Sequence, residues 1–188
     1  MRRSSNVQRL VIAAVLIALG LVLPLFLGQV QVFMQGVSPM HIPALLAGLT
    51  LGPIWGVAVG AITPILRGFV FGMPPLMPTG VSMAFELAAY GCLTGLIYPL
   101  FVRRFEKNHL PAILLSMLIA MVLGRFVGGA AQAILQTTRG NQYAFSTFVT
   151  AYFVKTAVGA VLHLIAVPLI TLALERAKLS PLMAEIEK

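Results

Sequence analysis

Apolar residues run along this chain in six blocks, interrupted by short polar or proline-rich segments. The blocks cover about residues 9–28, 41–51, 53–71, 79–102, 110–136 and 145–175, and each reads as a helix. The first, fourth, fifth and sixth reach or exceed the ~20 residues that cross a ~30 Å hydrocarbon core. The second, 11 residues long, is too short to cross and is predicted to pair with the third through the Leu51-Gly52-Pro53 turn. Pro168 predicts a kink in the sixth. The pattern therefore predicts an all-α integral membrane protein, a single domain over residues 1–188 with six transmembrane helices.

Composition points the same way. Hydrophobic residues make up 59% of the chain and charged residues only 10%, where soluble domains carry about a quarter charged. The lipid bilayer is thus the solvent for most of the chain. The single cysteine, Cys92, lies in an apolar run and offers neither a disulfide framework nor a metal site. No metal and no cofactor is expected. The N-terminal MRRSSNVQR and the apolar run Leu10 to Leu27 have the outline of a signal peptide, but the run lasts 18 residues and no A-x-A pattern follows. A retained first helix is expected.

A formal charge of +8, 13 basic against 5 acidic residues, would suit nucleic acid if it were spread over one soluble face. Its placement argues for membrane orientation instead. Arg2, Arg3, Arg9, Arg103, Arg104, Lys107, Arg176, Lys178 and Lys188 all fall on one side if six crossings alternate. Both termini are then cytoplasmic, and the loops 29–40, 71–79 and 136–145 face outward. A multi-pass protein of the bacterial cell membrane is expected, with no nucleic-acid partner.

Four cations remain. Arg139 lies in an outer loop, whereas Arg67, Arg125 and Lys155 fall within predicted helices, as does the acid Glu86. A charge near a helix centre costs ~2.5–3.5 kcal/mol on insertion scales and normally faces a cavity or a partner. Counted from the outer ends of their helices, all four lie between the outer surface and mid-membrane. Helical spacing extends the cluster into stripes: Thr79, Ser82, Glu86 and Tyr90; Arg125, Gln132 and Gln136; Tyr152, Lys155 and Gly159. Glu86 has two readings, an internal ion pair with one cation or a ligand contact. Three cations against one acid leave positive charge uncompensated, which an anionic ligand such as a carboxylate would complete. Which cation makes that contact stays open. His41, at the outer start of the second helix, is a candidate for the pocket wall. Gly124-x-x-x-Gly128 points to close helix packing.

Some chemistry is absent. No glycine is followed by lysine, so there is no G-x-x-x-x-G-K-[ST] phosphate loop, and there is no H-E-x-x-H. Ser82 in GVSMAF, partnered by His163, lacks the second glycine of an intramembrane serine protease motif. The chain is not expected to be an enzyme. An autonomous proton-coupled carrier would use Glu86 as its relay, but six segments without an inverted repeat make a small machine for alternating access.

Three runs carry a resemblance: MHIPALLAGLTLGP (Met40 to Pro53), GMPPLMP (Gly72 to Pro78) and MAFELAAYG (Met83 to Gly91). Over about residues 28–100 the chain resembles the substrate-binding S components of energy-coupling factor (ECF) vitamin transporters, and among these most the pantothenate type. The hydroxymethylpyrimidine and folate types share parts of the pattern. The resemblance implies a six-helix bundle that captures a small-molecule vitamin from outside. Uptake would then be driven by a transmembrane coupling (T) subunit and two cytoplasmic ATPase subunits. It also implies docking on the coupling subunit through small residues of the first helix, here Ala14-x-x-x-Ala18.

On that resemblance the outer loops are lids. Pro74 and Pro75 stiffen the loop after the third helix, Gly72 flanks it as a hinge, and Met73 and Met77, with Met34 and Met40 from the first outer loop, supply an adaptable apolar seal. The vitamin expected is a small carboxylate, pantothenate first. Arg67, Arg125 or Lys155 would meet its carboxylate, and Gln132, Asn141 and Tyr143 its hydroxyls or amide.

Overall fold

The computed structural model describes residues 6–27, 36, 38–105 and 108–186. Among these there are helices and no strand: α1 (Asn6–Leu27), α2 (His41–Leu51), α3 (Pro53–Phe71), α4 (Val81–Arg104), α5 (His109–Thr138), α6 (Phe145–Val149), α7 (Ala157–Arg176) and α8 (Met183–Ile186). A wide turn, Leu76–Gly80, with Met77 extended at its second position, leads into α4, and a π-helical turn, Thr150–Val154, joins α6 to α7. Five segments are long and apolar enough to cross a membrane, with α2 as a shorter apolar helix beside them. Leucines, valines and phenylalanines point outward along most of them, as a lipid-facing surface requires.

The short α2 is the centre of the bundle. Every one of its 11 residues is buried, and α1, α3, α4 and α7 pack around it. It meets α3 through Gly52, whose φ of 97° lies where side chains are strained. The following Pro53 opens α3 at a position where no N–H is needed. α4 packs most extensively, against α3 on one side and α5 on the other. The backbones of α3 and α4 touch at Gly56 and Gly91, where a Cβ on either glycine would overlap the other residue's backbone.

Read as one continuous helix, residues 145–175 are interrupted in the structure. The Lys155 N–H reaches back five residues to the Thr150 carbonyl at 3.0 Å, and the Thr156 hydroxyl bonds the Tyr152 carbonyl at 2.6 Å. A local side-chain partner of this kind competes with regular helix hydrogen bonding. Pro168, by contrast, sits inside an unbroken α7.

After α7 the chain turns back under the bundle. Ser180, Pro181, Leu182 and Met183 are buried, and the Leu182 N–H bonds the Thr50 carbonyl at 2.9 Å, capping the end of α2. Arg9 pairs with Glu185. The Tyr98 hydroxyl meets Glu175, and His109 pairs with Glu175 at 3.0 Å. These contacts gather the start of α1, the ends of α4 and α7 and the start of α5 at one end of the bundle, with Arg103, Arg104, Arg176 and Lys178 nearby in sequence. The loop containing Gly140, the wide turn Leu76–Gly80, the π turn and the start of α2 form the opposite end.

Candidate functional site

At that opposite end lies a cavity of about 680 Å³. Ser38 and His41 line it from the start of α2. Thr79, Ser82, Met83 and Glu86 come from the Leu76–Gly80 turn and α4, and Gln132 and Gln136 from α5. Asn141, Gln142 and Tyr143 come from the α5–α6 connection, and Thr147, Ala151, Tyr152 and Thr156 from the segment leading into α7. Hydroxyls and amides dominate this wall. Glu86 is its only Asp, Glu, Lys or Arg among the described residues.

Glu86 is held from three sides. The Tyr90 hydroxyl donates to its Oε1 at 2.6 Å, and His41 Nε2 stands 3.5 Å from the same oxygen. On the third side Gly128 of α5 leaves room for the side chain, since a Cβ there would lie 2.7 Å from the Glu86 Cβ. The small residues of α5 therefore serve close packing against the polar stripe of α4. His41 is turned by its own bond, Nδ1 to the Ser38 carbonyl at 2.9 Å, and its ring stacks on His163 with centroids 5.4 Å apart.

Two polar atoms of the wall are buried without a hydrogen-bond partner among the described residues: Gln132 Oε1 and the Tyr143 hydroxyl. Leaving a buried polar group unpaired costs ~1–3 kcal/mol, so such atoms facing a cavity are ready to bond a guest. Burial raises the Tyr143 phenol above its ordinary pKa, which keeps it a neutral donor. Asn141 Nδ2 donates to Gln136 Oε1 at 2.9 Å, tying the loop to α5 over the cavity.

The structure brings together His41, Glu86, Gln132, Asn141 and Tyr143, but not the three cations. Arg67 is buried and its guanidinium bonds the Leu21 carbonyl of α1 at 2.7 Å, lying over the Phe71 ring. Arg125 stacks over Phe153, 5.4 Å from the ring centroid, and also interacts with the Tyr90 hydroxyl that bonds Glu86, but it does not line the cavity. Lys155 is exposed and lines a separate, smaller hollow of about 260 Å³ with Ser146 and Thr150; the two hollows share Thr147 and Ala151. Tyr152 in the π turn and Thr156 just after it line the cavity, whereas Lys155 at the end of that turn lines the smaller hollow.

Of the expected lid residues, Met34 lies outside the described residues. Met40 is a correction: it is buried in the hydrophobic core at the start of α2, not in a loop seal. Met73 and Met77 are exposed, as are Gly72 and Pro75, and Pro74 is half-buried. None of these five lines the cavity. Gly72 has a φ of 69° and ends α3. Arg139 reaches across from the α5–α6 connection to the Met77 carbonyl. Ala14 and Ala18 are exposed on the outer face of α1, while Ala13 and Gly20 face inward.

Sequence reasoning missed Ser38, Met83, Gln142, Thr147, Ala151 and Thr156. The i, i+4 spacing from Thr147 to Ala151 is a usable signal; Thr156 follows a π turn that a regular helical count does not anticipate.

Over residues 8–171 the chain matches the family described as ECF transporter, substrate-specific component. No curated protein and no solved structure matches it.

Proposed function

The chain belongs to the family of ECF transporter substrate-specific components, and on that footing we propose that its cavity captures a small vitamin or vitamin precursor carrying an amino-substituted heteroaromatic edge. Membership implies a partner module of a transmembrane coupling subunit and ATPases. The observation that carries the substrate class is the charge of the wall: Glu86 faces the cavity, and Arg67, Arg125 and Lys155 do not line it. A carboxyl group pairs with an amino group and its neighbouring ring nitrogen through two parallel hydrogen bonds. Gln132 Oε1 and the Tyr143 hydroxyl, both without partners, supply further contacts for hydroxyl or amide groups. Hydroxymethylpyrimidine and the pterin head of folate have such an edge.

One observation favours pantothenate as a second reading. Lys155 lies in the hollow that adjoins the cavity through Thr147 and Ala151, where the carboxylate of an extended ligand would find a cation. Membrane orientation belongs to the same proposal. The cavity lies at the end opposite Arg103, Arg104 and Arg176, so it opens outward if those residues are cytoplasmic, as expected in a bacterial cell membrane. The exposed Ala14 and Ala18 provide the docking face.

Calorimetric titration of the purified chain with hydroxymethylpyrimidine, a pterin and pantothenate tests the reading. Heat from the first or second, reduced at least tenfold in affinity by Gln132→Leu, is expected. Tight binding of pantothenate alone, weakened by Lys155→Gln, would instead establish the second reading.

A further inference from the structure

No Lys or Arg forms a direct ion pair with Glu86 among the described residues, yet its orientation is prepared from outside the cavity. The Tyr90 hydroxyl donates to Glu86 Oε1 at 2.6 Å, and Tyr90 is fully buried. Arg125 of α5 interacts with that same hydroxyl. A phenol has one proton to give, and a guanidinium has only donors. Arg125 can therefore meet the Tyr90 oxygen only as a donor, which leaves the phenolic proton for the carboxyl of Glu86. Linked hydrogen bonds of this kind polarise and strengthen one another in a buried setting.

α5 is shaped to hold the arrangement. The Tyr90 ring packs against Gly124, where any Cβ would overlap it, and the Glu86 side chain packs against Gly128 one turn further on. Gly129 makes the same room for the Phe148 ring. Arg125 follows Gly124 directly. Its guanidinium lies over Phe153, 5.4 Å from the ring centroid, and Phe153 meets Phe148 edge-on with centroids 5.7 Å apart. Phe153 adjoins Tyr152 in sequence, and Tyr152 lines the cavity. Arg125 thus stands between the part of the wall that carries Glu86 and the part that carries Tyr152.

We infer that Arg125, which lines no part of the cavity, is the positioning residue for Glu86: acting through the Tyr90 hydroxyl, it fixes the carboxyl in the orientation that meets an amino-substituted ring. This rests on the cavity being the ligand site. Phe153 seats the guanidinium, so the Tyr90–Glu86 bond and the π turn meet at one side chain. A plain brace between α5 and the π turn, made by the ring contact alone, would leave Glu86 indifferent to Arg125.

A double-mutant cycle separates the two roles. The probe is hydroxymethylpyrimidine, titrated calorimetrically against the purified chain. Tyr90→Phe and Arg125→Gln are each expected to weaken binding about tenfold, the scale of one lost buried hydrogen bond. The double variant is expected to bind no more than about twofold more weakly than Tyr90→Phe, because the second change removes a link already broken. Losses that multiply to about a hundredfold would overturn the inference. So would an Arg125→Gln variant that binds as the wild type does.

The second measurement uses no ligand. The ¹³C resonance of the Glu86 carboxyl, assigned by its loss in Glu86→Gln, is expected to shift in Arg125→Gln and in Tyr90→Phe. In the Tyr90→Phe background it should hold one position with or without Arg125. Phe153→Leu, which removes the ring beneath the guanidinium and alters no charge, repeats the comparison and replaces Arg125→Gln should that variant not fold. A resonance unmoved by these changes, or moved as far in the Tyr90→Phe background, would refute the role. If the probe does not bind, the proposed substrate class fails, while the resonance still decides whether Arg125 positions Glu86.

Discussion

Arg139 donates a hydrogen bond from its guanidinium to the Met77 carbonyl at 2.9 Å, joining two segments that flank the cavity. One partner lies in the proline-rich loop after α3 and the other at the end of α5, 62 residues apart in sequence. Both Met73–Pro74 and Met77–Pro78 peptide bonds in that loop are cis, and Thr79, directly after it, lines the cavity. The loop is thus connected to the cavity wall by its backbone and to the opposite segment by one exposed cation.

Removing that cation should free the loop without unfolding the bundle. A hydrogen bond from a charged donor contributes ~1.5–3 kcal/mol when buried and less at an exposed position. Arg139→Ala is expected to shorten the lifetime of bound ligand by about threefold to tenfold, corresponding to ~0.7–1.4 kcal/mol. Amide exchange over residues 72–80 should quicken while the thermal midpoint stays nearly constant. An unchanged dissociation rate would show that the loop does not retain the ligand.

Arg67 gives the opposite prediction. Its guanidinium fastens α3 to α1 through the Leu21 carbonyl, away from the cavity. Arg67→Gln should cost about 1.5–3 kcal/mol of stability, the range for a buried bond from a charged donor, and lower the thermal midpoint in detergent. Ligand affinity of the folded variant should change less than twofold. A selective loss of affinity at unchanged stability would return Arg67 to the binding site.

The α3–α4 crossing tests packing. At Gly91 an added methyl meets Gly56 backbone atoms, which cannot move aside as a flexible side chain would. Gly91→Ala should destabilise by ~1–3 kcal/mol, the usual cost of overfilling a packed interior. A thermal midpoint equal to that of the wild type would contradict the crossing.

Much of this architecture was legible in the residues, for reasons that differ by element. The helices beginning at His41 and Pro53 were readable because Gly52-Pro53 is a strong local stop and start. Glu86 and His41 were readable because an ionisable group in an apolar block needs a reason. The three cations misled because sequence gives depth and not direction. Arg67 finds a backbone carbonyl of another helix, Arg125 an aromatic ring, and Lys155 ends a π turn that no 3.6-residue count anticipates and lines the smaller hollow. The buried hook at the C-terminus was invisible because its contacts, Leu182 to Thr50 and Glu185 to Arg9, depend on the finished bundle.

That hook should contribute measurably to stability. Leu182 is buried against Gly52 and the end of α2. Leu182→Ala is expected to cost about 2 kcal/mol, the low end for a large-to-small change in a core, and to speed exchange of its own amide. Exchange as slow as in the wild type would mean the segment does not depend on that side chain.

The most direct test is mass spectrometric identification of the small molecule released by denaturing the chain after purification from its native membrane. The account predicts one small polar compound with an amino-substituted ring, recovered in near-stoichiometric amount and largely absent from the Gln132→Leu variant. A carboxylate without such a ring, or the same compound in equal yield from the variant, would contradict it.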